Sequence, residues 1–219
     1  MGIYYNEDDS TYTVTIRDDV ITATFTASGE VAADWVDDIL YVHRWRLDRL
    51  IVGLDLKWYP REFCATKGEN SVALLQLCVG RCSLLFQLFS CDFIPDKLRN
   101  FLEDDRFLFV GVGVKKDAEK LQLGYGIKVR KPVDLRELAA VQMERPEMSN
   151  WRLKNVVYEV MGVQIEKPKK VKLSNWVKRL LSHKQIMYAA IDVFVSFEVA
   201  GGFMPGNSEG LCKERCSCC

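Results

Sequence analysis

The sequence lacks the segments that mark secreted and membrane-spanning proteins. No run of apolar residues approaches the ~20 that are needed to cross a bilayer. The N-terminal stretch MGIYYNEDDS is acidic, whereas a secretion signal begins with basic residues and continues with apolar ones. These absences predict an intracellular protein of the cytoplasm or the nucleus, with no membrane partner.

The chain also has no net charge and only two histidines. The chain carries 30 basic and 30 acidic side chains, which give a formal net charge of zero. The field of the whole molecule therefore does not attract a polyanion, and any nucleic-acid partner must meet a local basic patch. His43 and His183 lie too far apart in the sequence to suggest a metal site or an activated nucleophile.

The eight cysteines do not form a recognisable zinc motif. The first group lies in apolar, strand-like sequence and is expected to supply buried thiols: Cys64, Cys78, Cys82 and Cys91. The second group lies in the tail CKERCSCC, which also lacks the aliphatic residues of a prenylation box. We expect this tail to be an exposed, flexible end, with metal binding, lipidation and oxidation as the alternatives.

The periodicity of apolar residues predicts an α/β fold. The 219 residues are 48% hydrophobic, enough for one sizeable core. Strand-like patterns cover 11–27 as a hairpin, then 50–58, 72–79, 83–88, 107–114 and a short strand ending near 133. Helical patterns cover 30–46, 95–103, 115–123, 135–143, 151–161 and 183–200. Antiparallel strands first and strand-helix alternation afterwards predict a mixed sheet, antiparallel and then parallel, flanked by helices.

Charged residues interrupt the apolar strand IVGLDLKWYP. Asp55 and Lys57 share one face of this strand because side chains at i and i+2 point the same way. Two further aspartates stand out: Asp117 at the start of a helix, and Asp192 in the apolar helix IMYAAIDVFVSF, one turn after Tyr188. Each aspartate alone fits a turn, a helix terminus or a solvated surface. Together, buried carboxylates at one end of a sheet are typical of a site for hard divalent cations.

The order of several motifs resembles a known family of nucleases. The stretches GLDLKWYP, LLQLCVG, FVGVGVKKDAEKL, DLRELA, LSNW and QIMYAAIDVFVSFE are similar to the 3'-5' exonuclease domain of the Werner-syndrome type. The small stand-alone plant members are most similar to the whole chain. The resemblance implies a ribonuclease H-like fold, a DEDDy active site, and Mg²⁺- or Mn²⁺-dependent release of nucleoside monophosphates from single-stranded RNA or DNA.

The resemblance also assigns roles to individual residues. It makes Asp55, Asp117 and Asp192 metal ligands, and it adds Tyr188 to these three as a catalytic residue that orients the attacking water. The family's first motif runs Asp-x-Glu, whereas this chain has Lys57 at the place of the glutamate. With three carboxylates and one ammonium, the expected site suits one divalent ion rather than two, or none.

Lys57 leaves three outcomes open. Its ammonium can hold a substrate phosphate in place of one cation, giving a slow one-metal enzyme. It can instead pair with Asp55 or Asp192 and seal the site, or Glu62 can supply the missing ligand. The sequence therefore predicts a weakened exonuclease, with a catalytically inactive nucleic-acid-binding or oligomeric interaction protein as the alternative.

Candidate contacts to a nucleic-acid strand lie outside the carboxylate set. The stretch EKPKKVKLSNW supplies Lys169, Lys170 and Lys172 for the phosphate backbone, and Trp58 is a further candidate. Trp176 in the same stretch could stack a base, with a place in the core as the alternative.

The predicted organisation has three parts. Residues 1–47 form an N-terminal hairpin and helix extension, residues 48–203 the exonuclease-like domain, and residues 204–219 the flexible cysteine-rich tail. Aromatic residues of the extension are candidates for self-association: Tyr4, Tyr5, Trp35, Tyr41 and Trp45. The resemblance to small ring-forming relatives implies a homo-oligomeric ring, with a hexamer as one form.

Overall fold

One mixed sheet organises the chain. The computed structural model describes residues 1–58 and 72–204. The sheet has eight strands in the order β1-β2-β3-β6-β5-β4-β7-β8. Their bounds are β1 Gly2–Asn6, β2 Thr11–Ile16, β3 Asp19–Thr26, β4 Ile51–Trp58, β5 Val72–Val79, β6 Cys82–Phe86, β7 Leu108–Gly111 and β8 Pro132–Asp134.

The pairing directions confirm the predicted mixed α/β sheet. β1, β2 and β3 form an antiparallel meander, and so do β4, β5 and β6. β7 and β8 then add in parallel beside β4. One parallel pairing, β3 with β6, joins the N-terminal meander to the rest, so the first three strands extend the same sheet.

Seven α-helices of the described residues cover the two faces of the sheet. They are α1 Gly29–Val42, α2 Asp96–Glu103, α3 Val114–Tyr125, α4 Leu135–Gln142, α5 Leu153–Met161, α6 Lys169–Lys172 and α7 His183–Phe203. One apolar core lies under α4, α5 and α7, and a second lies under α1, α2 and α3. Alternate residues of β4 enter different cores, because Val52, Leu54 and Leu56 face the second one while Ile51 faces the first.

The central helix α7 is almost entirely buried. Its N-terminus is fixed by a capping box between Ser182 and Gln185. Among the described residues, α7 is the one helix long and apolar enough to span a membrane by length and composition. This corrects the expectation that no run approaches that length. Since 78% of the apolar window is buried inside the fold, packing against the sheet accounts for the composition of the helix.

Several element boundaries differ from the sequence-based ones. β1 was not predicted, because GIYYN is a short stretch without an alternating pattern. α1 ends at Val42 instead of reaching 46, since His43 caps it, and Trp45 is 84% exposed. The strand predicted over 107–114 ends at Gly111, because Gly113 adopts a φ of +80° and caps the N-terminus of α3, which begins at Val114.

Two cysteines and Trp176 lie in the buried interior. Cys78 and Cys82 are buried, as predicted, and Cys91 is half-buried, while Cys64 and the tail cysteines lie outside the described residues. Trp176 is only 2% exposed and donates its indole N–H to the carbonyl of Lys172, so it belongs to the core. The lysines beside it form the short helix α6 rather than an irregular loop.

Candidate active site

The site is built where β4 meets α7. An added Cβ at Gly53 would lie 2.4 Å from the carbonyl oxygen of Val193, so these two backbones approach closely. Gly53, Asp55 and Lys57 share one face of β4. The missing side chain at Gly53 therefore lets α7 approach that face, next to the two charged residues.

Asp192 and Tyr188 reach the site from one turn of α7. They are four residues apart, and both are buried, with exposures of 4% and 7%. The neighbours of Asp192 along the helix are apolar, which leaves its carboxylate dependent on partners from other elements.

Lys57 supplies one of these partners and binds two carboxylates at once. Its ammonium donates to Oδ2 of Asp55, and it lies 2.9 Å from Oδ2 of Asp192. The Lys57 side chain is only 10% exposed. Burial alone would lower the pKa of Lys57, but Asp192 and Asp55 outweigh it and raise that pKa. Lys57 is therefore a fixed positive charge inside the site.

Lys167 supplies the second partner of Asp192. Its Nζ lies 2.7 Å from Oδ1 of Asp192, and its side chain is 21% exposed. Burial would raise the pKa of Asp192, yet the two ammonium groups of Lys57 and Lys167 lower it. Both carboxylate oxygens of Asp192 are thus engaged by lysines. Nothing in the stretch EKPKKVKLSNW sets Lys167 apart from the other lysines, because no local pattern marks a lysine that turns inward.

Gln76 is a further residue that the sequence did not reveal. It lies opposite Asp55 in the β4–β5 pair, and its side-chain N–H donates to Oδ2 of Asp55 at 3.0 Å. Its Oε1 is buried and has no hydrogen-bond partner among the described residues. The sequence feature that could have identified Gln76 is that it is the one polar residue in the apolar strand VALLQLCV.

Asp117 lies in the first turn of α3 and is 8% exposed. Burial, followed by the charge of Asp55, raises the pKa of the Asp117 carboxyl to about 8. In the described part of the chain, no hydrogen bond or ion pair engages the carboxylate oxygens of Asp117. The hydrogen bonds that Asp55 accepts from Lys57 and Gln76 both go to its Oδ2. Asp55 and Asp117 therefore keep oxygens that can accept another ligand.

Tyr188 lies among the charges of the site. Lys57 Nζ lies 4.9 Å and Lys167 Nζ lies 5.7 Å from the centroid of its ring. Burial, and then the charge of Asp192, raises the pKa of the Tyr188 phenol to about 12. The phenol stays protonated at neutral pH, so it is suited to hydrogen bonding and not to acting as a base.

Some carboxylate oxygens of the site are open to a divalent cation. Mg²⁺ commonly takes one or two carboxylates together with water and phosphate oxygens. The open oxygens of Asp55 and Asp117 meet that requirement, and the unpartnered Oε1 of Gln76 can accept from a bound water. Asp192 offers no open oxygen, because lysines hold both of its carboxylate oxygens. Within residues 1–58 and 72–204, no group of three or more His, Cys, Asp or Glu is arranged to hold a metal ion.

The remaining candidate contact residues lie outside the buried cluster of Asp55, Lys57 and Asp192. Trp58 ends β4 half-buried, with Lys120 Nζ 3.3 Å from its ring centroid. Lys169, Lys170 and Lys172 of α6 are exposed. Glu62, the alternative ligand, lies outside the described residues.

Comparison with known proteins gives three findings. Residues 51–205 match a family model described as 3'-5' exonuclease. The bifunctional 3'-5' exonuclease/ATP-dependent helicase WRN of Mus musculus is 33% identical over 146 residues, which are 66% of this chain and 10% of that protein. A 3'-5' exonuclease of Arabidopsis thaliana is 31% identical over 150 residues, which are 68% of this chain and 50% of that protein. The chain thus spans half or less of these two relatives.

A solved structure supports the fold. Escherichia coli RNase D, described as an exoribonuclease involved in structured RNA processing, superposes with a TM-score of 0.66 at 21% identity. The match covers 84% of this chain and 44% of that one. At this identity the likeness bears on the architecture, and it agrees with the mixed sheet flanked by helices.

Proposed function

The chain belongs to the 3'-5' exonuclease family, and from that premise we propose that it removes nucleoside monophosphates from the 3' ends of single-stranded RNA or DNA. The observation that supports the proposal is that Lys57 joins Asp55 of β4 to Asp192 of α7, with Tyr188 beside this ion pair and Asp117 of α3 within electrostatic reach of Asp55. We further propose that hydrolysis is slow, because Lys57 occupies the place of an acidic ligand.

Asp55 and Asp117 are the residues that would hold a single Mg²⁺ or Mn²⁺ ion. A divalent ion at such a position polarises a phosphoryl oxygen and lowers the pKa of a bound water. Gln76 fixes the orientation of Asp55 through its N–H, so the open Oδ1 keeps one direction.

Tyr188 would place the attacking water. Its phenol is protonated at neutral pH, so it would position the water by hydrogen bonding and not act as the base. The ring is held by packing near Trp176, with ring centroids 6.1 Å apart. A phenol fixed in this way reduces the orientational entropy that the attack would otherwise cost.

Lys57 has two opposing effects on the reaction. Its ammonium can pair with a non-bridging oxygen of the scissile phosphate and neutralise charge there. The same ammonium lies against Asp55 and Asp192 and repels a divalent cation. At ~4 Å and an effective dielectric constant of ~20, two unit charges interact by about 4 kcal/mol, so a dication would be opposed by roughly twice that.

The approach of the strand follows from the exposed lysines. Lys169, Lys170 and Lys172 on α6 would bind its phosphates, and the indole of Trp58 at the end of β4 would stack a base. Ionic contacts of this kind do not distinguish RNA from DNA.

A second candidate function is non-catalytic binding of nucleic acid. It is favoured by the charge balance of the buried cluster, in which Lys57 and Lys167 compensate Asp55 and Asp192 without any bound ion. In that case the fold would retain the lysines and aromatic residues for a strand and lack turnover.

The experiment that separates the two functions is a 3'-trimming assay. Single-stranded RNA and DNA labelled at the 5' end are incubated with the protein and Mn²⁺, and with EDTA as the control. We expect a slow ladder of shortened products and released nucleoside monophosphates, which Asp55→Ala and EDTA abolish. A labelled strand that is bound but never shortened would favour the non-catalytic function.

We also propose that the protein acts inside the cell as a homo-oligomer. Tyr4, Tyr5, Tyr41 and Trp45 of the N-terminal extension are exposed by 43–84%, which suits a contact between copies. Trp35 does not take part, since it is only 3% exposed and packs edge-on against Phe101.

A further inference from the structure

Lys167 differs from the lysines around it. Lys169, Lys170 and Lys172 are exposed, whereas the ammonium of Lys167 lies inside the fold, 2.7 Å from Oδ1 of Asp192. Holding a lysine inward costs rotamer entropy and part of its hydration, so a strong partner is needed. The carboxylate of Asp192, whose side chain is 6% exposed, is that partner.

The two lysines reach Asp192 from different parts of the chain. Lys57 comes from β4 and takes Oδ2, while Lys167 comes from the segment between α5 and α6 and takes Oδ1. Replacing one lysine removes its contact with Asp192 and leaves the contact of the other lysine in place. The two contacts are therefore separable by mutation.

We propose that Lys167 is a positioning residue which, together with Lys57, locks Asp192 into an internal ion-pair network in place of a second divalent ion. The proposal rests on the site described above. It follows that restoring a glutamate at 57 gives back an acidic ligand but does not release Asp192. Both lysines have to be replaced before the site accepts a second ion.

Charge counting gives the same order of variants. Asp55, Asp117 and Asp192 with the two lysines carry a formal charge of −1 when all are ionised. The Lys57→Glu change makes this −3, and adding Lys167→Met makes it −4, which two divalent ions offset. Because opposite charges within a few ångströms stabilise each other, affinity for cations should rise along this series.

The test is Mn²⁺ binding measured by isothermal titration calorimetry, which reads the ions and not the turnover. The proteins are the natural chain, Lys57→Glu, Lys167→Met and the double variant, with Lys154→Met on α5 as a matched exposed-lysine control. We expect the natural chain and Lys154→Met to bind one ion or fewer. The double variant should bind two, with an affinity at least about tenfold above that of Lys57→Glu.

The proposal is overturned if Lys57→Glu alone binds as many ions as tightly as the double variant. Circular dichroism checks folding, and Lys167→Gln replaces Lys167→Met if the latter does not fold, because Gln keeps a donor to Asp192 without the charge. The readout also separates this inference from the proposed function. If ion binding rises along the series of variants but no variant trims a strand, the role of Lys167 stands and the exonuclease function is rejected. If the protein trims a strand but Lys57→Glu and the double variant bind ions equally, the exonuclease function stands and the role of Lys167 is rejected.

Discussion

At Asp192, two ammonium groups meet one carboxylate inside the core. Replacing this aspartate by asparagine would leave Lys167 without its carboxylate partner and Lys57 with Asp55 as its remaining counter-ion. Breaking one partner out of a buried ion pair typically costs 3–5 kcal/mol, so we expect Asp192→Asn to lower the free energy of unfolding by about that amount. Urea denaturation at neutral pH measures it.

An exposed pair provides the control for this prediction. Lys115 and Glu137 lie 2.6 Å apart with side chains 53% and 58% exposed. Solvent screens such a pair, so Glu137→Gln should cost less than about 1 kcal/mol. Equal losses for Asp192→Asn and Glu137→Gln would mean that the cluster around Asp192 is not an ion-pair network in solution.

The sequence singled out the candidate carboxylates but not Lys167 and Gln76, which bind them. Asp55, Asp192 and Tyr188 could be identified because charged or polar groups stand out within apolar strands and helices. Lys167 and Gln76 could not be placed in the same way, since their contacts join residues that lie 25 and 21 positions apart. The pairing of β4 with β5 brings Gln76 to Asp55, and the path of the segment between α5 and α6 brings Lys167 to Asp192.

The packing of β4 against α7 positions the site at the level of elements. Gly53 is the residue that permits it, because an alanine Cβ would lie 2.4 Å from the carbonyl oxygen of Val193 and 3.2 Å from its Cγ2. We expect Gly53→Ala to push the helix away from the strand and to destabilise the protein by about 1–3 kcal/mol, the usual cost of overpacking. Thermal or urea unfolding measures this loss.

The matched control is another glycine, in α7 itself. A Cβ at Gly202 meets nothing within 4 Å, so Gly202→Ala should leave stability unchanged or raise it by up to about 1 kcal/mol through helix propensity. A Gly53→Ala variant that is as stable as Gly202→Ala would show that β4 and α7 have room to separate.

Element types were easier to predict than their limits. The long helix α7 and the strands β4, β5 and β6 follow clear periods. The limits depend on the local backbone conformation. The positive φ of Gly113 separates β7 from α3, and the C-cap at His43 ends α1. The β1 strand is specified mainly by its partner β2, which no local pattern reveals.

At the scale of the whole molecule, β1 forms one outer edge of the eight-stranded sheet. It contains neither lysine nor proline, the residues that commonly protect such edges, and its Tyr4 is 56% exposed. If copies associate through this region, Tyr4→Lys should lower the assembled mass, because a charge at an apolar contact is costly to desolvate. Size-exclusion chromatography with light scattering at micromolar concentration gives that mass.

The control for self-association is Tyr158→Lys. Tyr158 is comparably exposed, at 60%, but lies on α5 and not on β1. We expect this variant to keep the mass of the natural protein. A natural chain that elutes as a monomer would exclude the homo-oligomer, and an equal change in both variants would exclude β1 as the contact.

The central claim is that Lys57 and Lys167 together restrain an exonuclease site. The most direct test compares 3'-trimming rates of the natural chain and Lys57→Glu on one labelled single strand in Mn²⁺, each also measured with Lys167→Met. We predict that the double variant Lys57→Glu with Lys167→Met trims at least about tenfold faster than the natural chain, since lowering the barrier by about 1.4 kcal/mol is a factor of ten. Variants that trim no faster than the natural chain, with or without Lys167, would contradict the claim.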